Sequence, residues 1–164
     1  MLTEKEAFTE GVRACEQKMY LLALGIVQNE ADAADVMQDA ILKAYCNLSQ
    51  LRDRNKFQSW MLSIVHNTAI EALRKRRDTV ELDSQYDLQA PSPGLDHAAK
   101  LTVWEAVQAL PLPYRTGIIL FYYDGYSVRQ ISGVTGASQA AVRQQLSRGR
   151  KLLAQMLSKE DFDL

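Results

Sequence analysis

Two stretches of helical periodicity, separated by a break that has none, organise this chain. From about Thr3 to Asp78 there is no proline, and apolar residues return at helical intervals. In the middle of this block Met37, Ile41, Ala44 and Leu48 fall at i, i+4, i+7 and i+11 and predict a buried stripe. Asp35, Gln38, Asp39, Leu42 and Cys46 are then left on other faces. A later helix, beginning near Phe57, turns Phe57, Met61, Ile64, Val65, Thr68 and Ala72 inward. It sets Ser63, Asn67, Ile70, Arg74 and Arg77 along a different side. The period of two that marks strands is nowhere sustained, so the fold class expected is all-α.

The break spans Thr79 to Asp96 and holds Ala90-Pro91-Ser92-Pro93-Gly94 among acidic residues. A residue before proline is pushed out of helical geometry, so this segment is expected to be a flexible linker. The organisation predicted is therefore two small helical domains, residues 1–78 and 97–164, joined by 79–96.

The second block opens near His97. Leu101, Trp104, Val107 and Leu110 mark one helix, stopped by Pro111-Leu112-Pro113, and Ile118, Ile119 and Tyr122 mark another that ends at Asp124-Gly125. Ser127 with Gln130 three residues on is a capping box. The short helix from Val128 to Val134 stops at Gly136, where a tight turn needs a left-handed residue. Ser138 caps the next helix, whose inward stripe is Val142, Leu146, Gly149, Leu153 and Met156.

Helix, short glycine turn and second capped helix form the helix-turn-helix pattern, which presents the N-terminal end of its second helix to a DNA major groove. Opposite Val142 lie Gln144, Ser147, Arg148 and Lys151, with Arg143 at the edge. Arginine can pair with guanine and glutamine with adenine. An ordinary solvated helix face is the competing reading. Arg74-Lys75-Arg76-Arg77 is a second basic feature, though a helix dipole alone favours basic residues at a C-terminal end. Phe57 and Trp60 open that helix, and both stacking on unpaired bases and plugging the core stay open for them.

Overall charge hides this segregation. The 164 residues carry 19 Lys+Arg against 20 Asp+Glu, a formal net charge of -1, while no Lys or Arg occurs between Asp78 and Asp96. Screening makes a local basic surface effective on a nearly neutral molecule. Cys15 and Cys46 are far apart, in no metal spacing, and are both expected to be buried or half-buried thiols. His66 and His97 are isolated, and neither a phosphate-cradling glycine loop nor a nucleophile elbow occurs. Catalytic residues, metals, cofactors and a small-molecule substrate are therefore not expected. With no signal pattern at Met1–Glu6 and no long apolar run, the location expected is cytoplasmic.

The stretch from Asp32 to Tyr45, DAADVMQDAILKAY, resembles the region 2 helix of extracytoplasmic-function (ECF) sigma factors. Phe57 to Asn67, followed by Arg74-Lys75-Arg76-Arg77, is similar to the adjoining promoter-reading helix. Leu110-Pro111-Leu112-Pro113-Tyr114-Arg115 and the helix-turn-helix through Leu153 resemble region 4. Ala34 stands where the family usually has Glu, Ile41 where it has an aromatic, and Ala140-Ala141 where it has Gly-Thr.

The resemblance implies a division of labour. Asp35, Gln38, Asp39, Leu42 and Lys43 would dock on the clamp helices of the polymerase β′ subunit. The segment from Ser49 to Ser59 would capture an unstacked base of the −10 element. Phe57, Trp60, Asn67, Ile70, Arg74 and Arg77 would serve the −10 region, and Ser138, Arg143, Gln144, Ser147, Arg148 and Lys151 the −35 element. Expected partners are core RNA polymerase through β′ and β, promoter DNA and an anti-sigma factor, with a stress- or envelope-response regulon. A free-standing helix-turn-helix regulator acting without polymerase is the alternative.

Overall fold

The computed structural model describes residues 1–82 and 102–161, and all regular structure among them is helical. The expected linker from 83 to 96 and the expected start near His97 lie outside the described residues.

Three long helices build the first block: α1 (Glu4–Val27), α2 (Glu30–Cys46) and α3 (Phe57–Leu82). Thr3 and Glu6 cap each other's backbone N–H at 3.1 and 3.0 Å to start α1. Helix α1 ends at Gln28, whose φ of 57° is left-handed, and Asn29 at once caps α2 by accepting from Asp32 N at 2.9 Å. This two-residue corner folds α2 back beside α1, and both then pack on α3.

The buried line of α2 differs from the one the periodicity predicts. Ala33, Val36, Ala40 and Ala44 are buried, while Met37, Ile41 and Leu48 are only half-buried. Three alanines on one side let the backbone of α2 approach its neighbours closely, so the larger residues are pushed to the margins of the contact. On α3, Leu62 and Ala69 join Met61, Val65 and Thr68 inside, because α3 is covered by α1 and α2 on one side and by a helix of the second block on another. The helix also continues past Asp78 to Leu82. Cys15 is buried as expected; Cys46, the last residue of α2 and off its packed side, is exposed.

The second block begins with α4 (Val103–Gln108), capped reciprocally by Thr102 and Glu105. Pro111 then serves as N-cap of α5 (Leu112–Ile118), where its missing N–H costs nothing. Residues Ile119–Tyr123 continue α5 as one π-helical turn. The widened turn places Ile118, Ile119 and Leu120 consecutively in the core and leaves Tyr122 exposed. Helix α6 (Val128–Thr135) and α7 (Gln139–Asp161) complete the block. On α7, Val142, Leu146 and Gly149 are buried and Leu153 and Met156 half-buried, which bears out the expected stripe. Gly149 lets this contact close: an added Cβ would press on Ile118 Cγ1 at 3.0 Å and Tyr114 Cβ at 3.4 Å.

The two blocks share one continuous apolar core. Helix α6 lies on α3, while α5 and its π turn lie on α1.

Candidate nucleic-acid interface

The helix-turn-helix is set by its caps. Ser127 Oγ accepts from Gln130 N at 3.2 Å, and Gln130 Oε1 accepts from Ser127 N at 2.9 Å. A cap of this kind contributes about 1 kcal/mol. Gly136 closes α6 with φ 80°, and Ser132 Oγ donates to Ala137 O at 2.6 Å across the turn. Ser138 Oγ accepts from Ala141 N at 3.1 Å and fixes the start of α7. Buried Val142 and Leu146 hold one side of α7 down, so Ser138 before it, Arg143, Gln144, Ser147 and Arg148 on its N-terminal half and Lys151 at its middle all stand exposed. Arg150, off that set, donates to Tyr122 Oη at 3.1 Å.

On α3 the expected −10 residues fall into two groups. Asn67, Arg74 and Arg77 are exposed, with half-buried Ile70 between them packing on the core. Phe57 and Trp60 lean inward: the Phe57 ring lies 5.8 Å from Phe8 and 6.0 Å from Trp60. Trp60 nevertheless shares with Asn67, Asn47 and Gln50 the rim of a cleft of about 240 Å³. Within the basic run, Arg76 Nη1 pairs with Asp32 at 3.1 Å and Lys75 with Glu71 at 3.2 Å. Lys75 and Lys43 together hold the Glu71 carboxyl below its ordinary range. His66 sits 3.3 Å from the Asn67 side chain, and burial pushes its imidazole down, toward the neutral form.

Segment 48–59 borders a pocket of about 540 Å³ through Ser49, Leu51, Arg54, Asn55 and Ser59. Its opposite walls come from α1 and from Tyr126 and Gln130 of the second block. Those two residues were not legible as part of it, because nothing in the sequence brings positions so far apart together.

The acidic helix α2 presents Asp35, Gln38 and Asp39 to solvent and leaves Leu42 64 % exposed. Gln38 and Leu42 edge an apolar groove of about 400 Å³ with Phe8, Ile41 and Tyr45. Tyr45, 48 % exposed, was missed, although its spacing from Leu42 and Ile41 places it beside both. Lys43 departs from this group, because its ammonium turns to Glu71 at 3.3 Å across α3 and lines the cleft with Trp60. Also missed are the exposed apolar side chains Val103, Tyr122 and Tyr123 of the second block, with the Trp104 ring 5.2 Å from Tyr123.

A helical molecule that carries a helix-turn-helix in one half, and in the other an acidic helix with an exposed apolar groove beside a basic-ended helix, has the features of a protein that joins DNA to a protein partner. The comparisons agree with that class. Residues 12–79 match the family model of Sigma-70 region 2, and residues 100–153 match that of Sigma-70, region 4. The chain is 33 % identical over 148 residues to RNA polymerase sigma factor SigV of Bacillus subtilis, covering 90 % of this chain and 89 % of that one. It is 26 % identical to the ECF RNA polymerase sigma factor SigW of the same organism, covering 94 % and 90 %. Its fold matches the sigma factor RpoE of Bartonella quintana, solved with the anti-sigma factor NepR, at a TM-score of 0.79 and 22 % identity over 94 % of this chain and 98 % of that one. CnrH, solved with the cytosolic domain of CnrY, matches at 0.70 and 22 % identity over 96 % and 92 %. The chain belongs to the sigma-70 family and, within it, to the ECF sigma factors, which direct RNA polymerase to promoters.

Proposed function

We propose that residues 1–82, through the end of α3, hold core polymerase and read and melt the −10 element, and that residues 97–164 read the −35 element, with 83–96 as the joint. The observation that carries this reading is α7: six polar and basic side chains stand exposed from the cap to the middle of a helix that follows a glycine turn. Phosphate contacts would set register, and Arg148, Gln144 and Arg143 would contact base edges. Asn67, Ile70, Arg74 and Arg77 would track the −10 strand. Phe57 and Trp60 would support the pocket and cleft on either side of segment 49–59, where an extruded base offsets its unstacking cost by burial.

Asp35, Gln38, Asp39 and Leu42 would dock on the β′ clamp helices. Leu42 and the groove beside it supply the apolar anchor, and Lys43 orders α3 from behind. Exposed Val103, Tyr122 and Tyr123 are suited to a protein surface rather than to phosphate, and we assign them to the β subunit. An anti-sigma factor is the third partner, supported by the matched sigma factor RpoE, which was solved with one. No helix among the described residues is long and apolar enough to cross a membrane, which fits a protein that works on DNA in the cytoplasm. The chemistry of initiation would belong to the polymerase, with this chain supplying recognition. A helix-turn-helix regulator acting alone is not favoured, since the first block also matches the family.

Run-off transcription on genomic DNA with core polymerase tests the proposal. Products that appear only when this protein is added are expected, and failure of the protein to bind core polymerase at moderate salt overturns it.

A further inference from the structure

The pocket of about 540 Å³ bordered by segment 48–59 is larger than an extruded base requires. The cleft lined by Trp60 and Asn67, at about 240 Å³, serves that purpose with less than half the volume. Small-molecule sites typically enclose about 300–1,000 Å³, walled by apolar side chains with a few convergent polar groups. This pocket has that make-up. Its apolar part is aromatic: Phe8 is buried on α1, and the Phe57 ring meets it edge-on at 5.8 Å. Gly11 makes room for that ring, since a Cβ there would stand 2.7 Å from Phe57 Cε1. Such rings offer stacking and edge contact to a planar heterocycle. Asn55 and Gln58 add carboxamides, each both donor and acceptor, suited to the polar edge of such a ring.

One polar group there lacks a partner. Tyr126 lines the pocket from the second block at 6 % exposure, and its Oη is buried with no hydrogen-bond partner among the described residues. Ser59, which also lines the pocket, stands beside it. Burial holds the Tyr126 pKa up at about 12, so at neutral pH the group is an O–H with a proton to donate. Buried polar groups are normally paired, and this one is left for an acceptor from outside the chain. Two charged residues complete the lining, Arg54 and Glu4, both exposed. A guanidinium takes a phosphate through paired N–H groups, and a carboxylate accepts from a ribose hydroxyl.

We propose that this pocket binds a free ribonucleoside monophosphate, with its base against Phe8 and Phe57 and an acceptor toward Tyr126, its phosphate on Arg54 and a ribose hydroxyl on Glu4. The site is separate from promoter recognition and requires neither polymerase nor DNA.

Isothermal titration calorimetry of the full chain with AMP, GMP, CMP and UMP in turn tests the site. At least one is expected to bind saturably and one to one, with Kd on the order of 10–100 µM for a ligand of that size. Its nucleoside, its 2′-deoxy form and inorganic phosphate should each bind about tenfold more weakly or worse. Arg54→Ala should weaken the monophosphate about tenfold and leave the nucleoside unchanged. Arg52→Ala, exposed on the same segment but outside the pocket lining, should alter neither. Tyr126→Phe removes one oxygen and keeps the ring that Lys18 covers at 5.4 Å, and it should weaken the nucleotide about tenfold. Exposed Arg54 keeps the test intact where Tyr126→Phe does not fold. No saturable binding of any of the four up to about 5 mM overturns the proposal. So does phosphate binding as tightly as the nucleotide, or affinity unchanged in both variants. A deoxynucleotide that binds equally well assigns the pocket to the promoter strand and overturns it too. Because no arm contains polymerase, failure here leaves the sigma-factor reading standing.

Discussion

Arg115 and Ile26 are joined through a buried hydrogen bond: the guanidinium Nη2 donates to the Ile26 carbonyl at 3.2 Å and so caps the last turn of α1 from the other half of the chain. Burial pushes the Arg115 pKa down to about 10, still well above neutrality, so the group stays charged where it is least solvated. Its Nη1 bond to Leu110 O gives the charge a second acceptor. Arg115→Ala removes both donors from buried carbonyls and is expected to lower unfolding stability by about 2–4 kcal/mol, read as a shift in urea midpoint. Arg115→Lys, without the planar fork, should recover only part of it. A loss under 0.5 kcal/mol, about the size of a neutral surface change, would show that the bond is idle.

Asp124 supplies a pH dependence. Its carboxyl is 5 % exposed, and neither oxygen has a hydrogen-bond partner among the described residues. Burial raises its pKa from 3.8 to about 7, with Lys18 opposing. Its other ionisable neighbours stay neutral near pH 7: burial lifts the Cys15 thiol to about 11 and the Tyr126 hydroxyl to about 12. The folded state therefore keeps a proton that the unfolded chain gives up. The stabilisation this allows is fully present below about pH 4 and is lost as pH rises through about 7. The loss reaches about 1.4 kcal/mol per pH unit within that window. Asp124→Asn should flatten this component, so the stability difference between variant and wild type should widen in the variant's favour from pH 5 to pH 7. Parallel pH profiles for the two proteins would remove Asp124 from the account.

On α2 the exposed side can be separated from the packed one. Asp35 and Gln38 are exposed and lie off the line of Ala33, Val36, Ala40 and Ala44. Changing both to Lys should release core polymerase in a pull-down while leaving the thermal midpoint within a few degrees, since surface changes usually cost under about 0.5 kcal/mol. Leu42→Asp should do the same through the apolar groove. Retained polymerase binding in both variants would remove this face from the interface.

Much of this was legible in the sequence, for identifiable reasons. Capping boxes and the Gly136 turn are local, so the helix-turn-helix and the exposed set around Arg148 follow from a few adjacent residues. The packed line of α2 was misplaced because periodicity weights large residues such as Met37 and Ile41, whereas close helix contact selected alanines. The π turn at Ile119–Tyr123 was not legible, because it breaks the period on which the reading depends. The contact between the two blocks was invisible, since Gly25 and Ile119, or Gln28 and Gln108, are related only by tertiary packing.

Arg148 distinguishes base reading from general attraction. It stands exposed in the N-terminal half of α7, one turn beyond Gln144, on a helix whose opposite side is pinned by Val142 and Leu146. A guanidinium in that place can make a bidentate pair with guanine, whereas Lys151, one turn further along, is a point charge suited to phosphate. Arg148→Ala should weaken binding to a −35-containing promoter by about 1–3 kcal/mol and relax preference at a single base position. Lys151→Ala should weaken all duplexes about equally and reduce the salt slope by about 1. Both variants should fold normally, because each side chain is exposed. Anisotropy titrations of holoenzyme against promoters substituted singly across the −35 element, each at several salt concentrations, measure the two effects apart. Sequence preference unchanged by Arg148→Ala would return that arginine to the phosphate backbone and leave base reading to Gln144 and Arg143.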